Sequence, residues 1–225
     1  MPQKKTVQLA VLFVLSFFIA CQGKFSTVAQ DNRPRGLART VIAKPKLSKI
    51  ESPEIRSILE SAELQTRTTT SYTQKYYSIS YPNGDVPANT GACTDVVIRS
   101  YRSAGIDLQK EVHEDMKGNF SKYPQIWGLT KPDTNIDHRR VPNLQAYFKR
   151  KNKSLPISEN GGDYKPGDIV SWDLNGNGLT HIGIISNMWD TENKRYLIIH
   201  NIGSGTKLED RLFEWTITGH YRYFE

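Results

Sequence analysis

Cys93, His181 and His200 are the side chains of this sequence whose type and setting could carry out nucleophilic catalysis. Cys93 follows an irregular segment rich in Gly, Pro and Asn, and the apolar spacing after it predicts a helix from the cysteine to Gly105. A helix N-terminus stabilises a thiolate, the form of cysteine that attacks carbonyl groups. His181 opens one β-type segment and His200 closes the next. If these segments pair as a hairpin, His181 can act as the base for Cys93 while His200, or failing that Asn201, orients its ring.

Each of these residues also has an ordinary structural interpretation. Free cysteine is among the most buried residue types, and a single histidine in a strand is more often a structural group than a catalyst. The catalytic hypothesis therefore requires a fold that brings the three side chains together at a solvent-accessible cleft.

The elements expected to position these residues change type along the chain. Ser52 and Pro53 are typical of a helix cap and first turn, apolar residues follow at helical spacing, and a further helix is expected at about 141–150. We expect residues 106–140 to be a loop-rich polar insertion. From Lys165 onward, short β-branched and aromatic segments bounded by Gly, Asn and Asp indicate strands. The pattern predicts an α+β domain with N-terminal helices packed on an antiparallel sheet.

The N-terminal segment has the features of a secretory signal. Lys4 and Lys5 precede an apolar run at 7–20 that is too short for a standard transmembrane helix, although an uncleaved anchor helix is the alternative. The letters FIAC resemble a bacterial lipobox, which implies lipidation of Cys21. Gln22 stands where inner-membrane lipoproteins commonly carry Asp, so the resemblance implies an exported, periplasmic protein anchored through Cys21 to outer-membrane lipid.

We accordingly expect a lipoprotein-type signal peptide at 1–20, a flexible tether at 21–51 and one domain at 52–225. With Cys21 lipidated, Cys93 is the remaining thiol and no internal disulfide can form, so Cys93 is either a core residue or a reactive group. The net charge of +7 comes from basic residues that are scattered among acidic ones. This pattern favours attraction to an anionic polymer or lipid surface and argues against nucleic-acid binding.

The order of these motifs resembles the NlpC-like papain-fold superfamily of cell-wall cysteine peptidases. The resemblance covers about residues 75–205 and consists of the helix-initial cysteine, KPGDIV at 165–170, HIGI at 181–184 and IIH at 198–200. It implies a papain-like (NlpC-type) α+β fold with Cys93 as nucleophile, His181 as base and His200 as orienting residue. Tyr81, twelve residues before Cys93, matches a tyrosine that assists the oxyanion site in that family.

The sequence also departs from the simplest members of that family. Ala92-Cys93-Thr94-Asp95 replaces the usual Asp-Cys-Ser-Gly, and the segments containing HEDM and NIDHRR have no counterpart. The longer pattern resembles a bacterial envelope family that is catalogued as a domain of unknown function. That resemblance implies the same fold and triad but no established substrate.

Charged residues near the predicted site leave two interpretations open. Arg139, Arg140 and Asp95 can form buried ion pairs or contact the charged ends of a peptide, and we include Asp95 and Arg139 with Tyr81 as candidate oxyanion or substrate-binding residues. The HEDM and NIDHRR segments lack the spacing of a metal site, so we expect structural or substrate contacts there, with neither metal nor cofactor.

The sequence as a whole predicts a monomeric cysteine peptidase or amidase that cleaves amide bonds in the peptide stems of peptidoglycan. One alternative is a catalytically inactive envelope module that binds peptidoglycan. Another is a different acyl-transfer enzyme on the same scaffold.

Overall fold

A computed structural model describes residues 44–45 and 52–225 of the chain. The proposed signal peptide, the lipidation site Cys21 and the tether apart from Lys44 and Pro45 lie outside the described residues. None of the helices in the described part is both long and apolar enough to cross a membrane. The α-helices are α1 (Pro53–Thr68), α2 (Cys93–Ser103), α3 (Leu108–Asn119) and α4 (Val141–Arg150). The strands are β1 (Lys44–Pro45), β2 (Ser71–Tyr72), β3 (Thr90–Gly91), β4 (Ser154–Leu155), β5 (Ile169–Asp173), β6 (Thr180–Asp190), β7 (Arg195–Asn201), β8 (Thr206–Glu209) and β9 (Thr216–Tyr221).

Helices α1 and α2 begin at the residues that the sequence predicts. In α1 the hydroxyl oxygen of Ser52 accepts a hydrogen bond from the backbone N–H of Ile55 at 3.3 Å, and Pro53 occupies the first turn. Helix α2 ends at Ser103, and Gly105 adopts a φ of +82° that a residue with a side chain rarely tolerates. Both helices bury one apolar face against each other and against the sheet.

The prediction that residues 106–140 form a loop-rich insertion is wrong for its first third, which is helix α3. Asp107 caps this helix by accepting the backbone N–H of Gln109 at 3.3 Å. Leu108, Val112 and Met116 recur every four residues and are buried in the core, so an apolar stripe beneath polar neighbours is what makes the segment helical.

Seven strands form one sheet in the order β4-β9-β5-β6-β7-β8, with β1 paired to β6. All of its pairings are antiparallel. The sheet has apolar residues on both faces. Ile182, Ile184 and Ile199 face the helices, whereas Trp172 and Ile198 belong to a second cluster on the other face. The predicted α+β class, with helices on an antiparallel sheet, is confirmed.

Asp168 of the KPGDIV segment joins the start of β5 to the end of the chain. Its carboxylate accepts hydrogen bonds from Arg222 Nε and Nη2, both at 2.7 Å, and lies 2.8 Å from His220 Nε2. It also accepts the backbone N–H of Lys165 at 2.8 Å. Because Asp168 is buried, these bonds compensate its charge and anchor β9 beside β5.

Candidate active site

Cys93 is the first residue of α2 and lines a cavity of about 310 Å³. The residue before it, Ala92, has no side-chain acceptor, so the helix start is held differently: the Asp95 carboxylate accepts the backbone N–H of Ala92 at 2.6 Å. Thr94 adds a hydrogen bond from its hydroxyl to the backbone carbonyl of Arg139 at 3.1 Å. The cysteine residue is only 5% exposed.

His181 and His200 lie side by side on strands β6 and β7. His181 Nε2 is 2.8 Å from His200 Nδ1, and both rings are buried. Gly183 makes this approach possible, because a Cβ there would lie 3.1 Å from His200 Cβ and 2.8 Å from a methyl group of Ile198. The structure therefore brings the predicted base and orienting residue into direct contact. Asn201, the alternative orienter, is not needed for this contact.

Two tryptophans shield the histidine pair. Trp215 packs edge-on against both imidazoles, with ring centroids 5.7 Å from His181 and 6.0 Å from His200. Trp172 lies 5.8 Å from His181 on the same face of the sheet. Their apolar surfaces exclude water from the bond between the imidazoles, which strengthens it electrostatically.

Glu209, which sequence reasoning missed, extends the histidine pair. Its Oε2 is 3.2 Å from His200 Nε2, and this hydrogen bond is the main reason that the pKa of Glu209 is lowered. An ionised carboxylate only accepts, so His200 must carry its proton on Nε2 and accept at Nδ1 from His181 Nε2–H. In neutral His181 the nitrogen Nδ1 is then unprotonated. The hydrogen bonds from Glu209 through His200 thus give His181 the tautomer that a general base requires. No motif indicated Glu209; the only signal was its place on a strand that pairs with the one carrying His200.

At the start of β6, the Cys93 thiol and the imidazole pair lie on opposite faces of the sheet. Cys93 packs in the helix-side cluster with Ile182, and the backbone N–H of Ile182 interacts with its sulfur. The ring of His181 lies with the tryptophans on the other face. The structure therefore brings His181 and His200 together but does not bring the Cys93 thiol to the same face of the sheet.

Burial dominates the proton affinities of both groups. It raises the pKa of Cys93 to about 12, against the opposing effect of backbone N–H groups at the helix start. Burial also lowers the pKa of His181 to about 3, with a further contribution from His200. At neutral pH both groups are uncharged, so the thiolate expected from the helix N-terminus does not form.

Asp95 and Arg139 bind each other. The guanidinium donates Nε–H to Oδ1 at 2.8 Å and Nη2–H to Oδ2 at 3.0 Å, and both side chains are almost fully buried. Arg139 also donates to the backbone carbonyl of Lys75 at 2.9 Å. Of the two interpretations left open by the sequence, the buried ion pair is the one that the structure adopts for these residues. The Asp95 carboxylate and the Arg139 guanidinium thus stabilise the start of α2.

The structure does not bring Tyr81 to the cavity. Tyr81 lies edge-on to His113, with ring centroids 5.0 Å apart. The tyrosine at the cavity is Tyr72, whose pKa is raised first by burial and then by the negative charge that Cys93 carries when it is ionised. Pairing of β2 with β3 places Tyr72 opposite Gly91, two residues before the cysteine. A sequence interval could not reveal this pairing.

Asn201 contributes to the same arrangement. Its side-chain amide donates to the backbone carbonyl of Ser71 at 3.1 Å and to that of Gly91 at 2.9 Å. Since Asn201 directly follows His200, this residue ties the strand carrying the histidine to the backbone beside Tyr72 and Cys93. The predicted fallback orienter thus positions the nucleophile loop.

The acidic residues of the HEDM and NIDHRR segments bond to basic and phenolic side chains. Asp115 accepts hydrogen bonds from Arg150 and Tyr123, and Asp137 pairs with Arg140 at 3.2 Å. Within the described part of the chain, no group of three or more His, Cys, Asp and Glu side chains could hold a metal ion.

The fold and the site together define an α+β domain with a cavity-lining cysteine at a helix start and a buried His–His–Glu chain on neighbouring strands. The chain belongs to the family described as Domain of unknown function (DUF1287), whose model matches residues 59–223. It is 51% identical over 180 residues to the uncharacterized protein YijF of Escherichia coli (strain K12), an alignment that covers 80% of this chain and 87% of that protein. A structural comparison finds NlpC1 from Trichomonas vaginalis with a TM-score of 0.39 and 15% identity, covering 75% of this chain but 44% of that one.

Proposed function

We propose that this domain is a papain-like cysteine hydrolase of the NlpC type that cleaves amide bonds in the peptide stems of peptidoglycan. The observation that carries the proposal is the 2.8 Å contact between His181 and His200, together with Thr180, the residue before His181, lining the same cavity as Cys93. A buried imidazole pair with a defined tautomer and a thiol at a helix start supply the groups that a base, an orienter and a nucleophile require, and catalysis further requires the thiol to reach His181.

In the proposed reaction the sulfur of Cys93 attacks the carbonyl carbon of the scissile amide, and its proton passes to Nδ1 of His181. His181 then returns this proton to the nitrogen of the leaving amine as the C–N bond breaks. Water hydrolyses the thioester, with His181 again as base, and restores the thiol. The Cys93 backbone N–H and the Tyr72 hydroxyl are proposed to stabilise the oxyanion, a role assigned to Tyr72 because it lines the cavity.

The pKa values determine when the proton moves in this scheme. Because the pKa of Cys93 is about 12 and that of His181 about 3, an ion pair formed before substrate binding would be strongly unfavourable. Proton transfer therefore accompanies attack on the carbonyl, and it requires the sulfur and Nδ1 of His181 to come within hydrogen-bonding distance when substrate is bound.

The test is incubation of the purified full chain with isolated sacculi, followed by mass spectrometry of the released fragments. We expect peptide fragments from the wild type and none from Cys93→Ala or His181→Ala. His113→Gln is the matched control, since it changes a histidine on α3 that lies against Tyr81, and it should retain activity. Absence of fragments from the wild type would refute the proposal.

A second candidate function is peptidoglycan binding without cleavage. The observation that favours it is the uncharged state of both Cys93 and His181 at neutral pH. In that case wild type and Cys93→Ala should cosediment equally with sacculi while releasing nothing. Turnover that depends on Cys93 would exclude this candidate.

We also propose that the protein is exported and held at the periplasmic face of the outer membrane by lipid on Cys21. The proposal derives from the lipobox-like sequence. Cells fed an alkyne-tagged fatty acid should label the wild type but not Cys21→Ser, and equal labelling of both would contradict it.

A further inference from the structure

We propose that Arg140 recognises a carboxylate of the substrate beside Cys93, so that the substrate class is peptides carrying a free carboxylate close to the scissile amide. This inference rests on the proposed function for its reaction, but the binding it describes does not require cleavage.

The composition of the cavity wall is the first observation. Its described lining includes two arginines, Arg139 and Arg140, and no Asp or Glu residue. The acidic partners Asp95 and Asp137 lie behind the wall with their side chains almost fully buried. An anionic ligand in the cavity therefore lies against arginine residues and meets no carboxylate.

The two arginines differ in how many guanidinium N–H donors remain available to a ligand. Arg139 is held by two bonds to Asp95 and one to a backbone carbonyl, and its side chain is 2% exposed. Arg140 bonds to Asp137 through Nη1 alone, at 3.2 Å, and its side chain is 17% exposed. Since a guanidinium carries five N–H donors in a planar fork, Arg140 retains donors for a carboxylate.

Trp127 fixes the direction of those donors. The guanidinium carbon of Arg140 lies 4.1 Å from the centroid of the Trp127 ring, and both residues line the cavity with Cys93. Stacking restrains the guanidinium plane, so less entropy is lost when it binds a planar anion. Arg140, stacked on Trp127, can thus bind a carboxylate of the substrate and place the neighbouring scissile amide near the sulfur of Cys93.

The binding test uses the full chain carrying Cys93→Ala, with muropeptides purified from sacculi as the probe. Calorimetry compares native muropeptides with the same molecules after their carboxylates are converted to primary amides. Loss of charge-assisted hydrogen bonds should weaken binding by about tenfold to a hundredfold. Adding Arg140→Gln should weaken binding of the native probe similarly and bring the ratio of the two dissociation constants close to one.

Two further variants separate the stacked fork from simple charge. Arg140→Lys keeps the cation without the planar fork and should retain only part of the discrimination. Lys149→Gln removes one positive charge from the exposed side of α4 and should leave both dissociation constants unchanged.

The outcomes distinguish this inference from the proposed function. Equal binding of native and amidated probes, absence of binding, or discrimination that persists in Arg140→Gln would each overturn the carboxylate site. Discriminating binding without any turnover by the wild type would instead reject hydrolysis and leave the carboxylate site standing.

Discussion

Replacing Asp95 with Asn should reveal how much of the domain's stability depends on the buried ion pair at the start of α2. The substitution keeps the shape of the side chain but leaves the Arg139 guanidinium, whose side chain is 2% exposed, without a counter-charge. It also weakens the bond that Ala92 N–H makes to the carboxylate at 2.6 Å. Removing one partner of a buried pair typically costs about 3–5 kcal/mol.

That cost corresponds to a large change in thermal stability. For a domain of this size, each kcal/mol lowers Tm by about 2–4 °C, so Asp95→Asn should unfold roughly 6–20 °C below the wild type. Thermal unfolding of the full chain followed by circular dichroism measures this. A second variant, Arg139→Met, should also destabilise, and the double variant should lose less than the sum of the two singles because no unpaired charge remains buried.

The matched control is another Arg–Asp pair that has one partner on α2. Arg99 of α2 binds Asp85 at 2.8 Å, but the Asp85 side chain is 35% exposed, so Asp85→Asn should cost at most about 1 kcal/mol. If Asp95→Asn proved no more damaging than Asp85→Asn, the structural role of Asp95 would be refuted. Asp95 and Arg139 would then return as candidates for substrate contact.

Two further predictions concern the site, and a third concerns the stability of the domain. Alkylation of Cys93 by iodoacetamide should be slow at pH 7 and rise about tenfold per pH unit towards its pKa of about 12; a plateau near pH 8 would contradict the burial argument. Glu209→Ala should lower turnover of sacculi about tenfold or more with little loss of Tm, and Glu209→Gln should recover part of it because its amide oxygen still accepts from His200; equal activity in all three proteins would exclude the tautomer role. Burial lowers the pKa of His138 and His181 to about 3. Below about pH 6.5 the unfolded chain therefore binds more protons than the folded chain. The free energy of unfolding, measured in urea, should fall by about 1 kcal/mol per histidine from pH 7.5 to 5.5. A rise would show that these rings are not buried neutral groups.

Local patterns were sufficient to predict the elements that carry the site. The helix starting at Cys93 and the strands carrying His181 and His200 follow from apolar spacing and from Gly, Pro and Asn at their ends. Helix α3 was missed although Leu108, Val112 and Met116 have helical spacing, because the polar composition of the region favoured a loop. Adjacency of the two histidines followed from the expectation that consecutive strands pair.

Other parts of the site depended on contacts between residues far apart in the chain. The sequence contained the charges of Asp95, Arg139 and Arg140 but could not assign partners, since the Asp95–Arg139 pair spans 44 positions. It likewise could not place Tyr72 rather than Tyr81 at the cavity, because that depends on the pairing of two short strands.

The sequence by itself determined the α+β class, the helix-initial position of the cysteine and the strand positions of both histidines, because periodicity and capping act over a few residues. Only the tertiary structure decided that Glu209 completes the histidine chain and that burial leaves Cys93 and His181 uncharged. Proton affinity depends on how much water and charge surround a group, and those surroundings are assembled from distant segments when the sheet and helices pack.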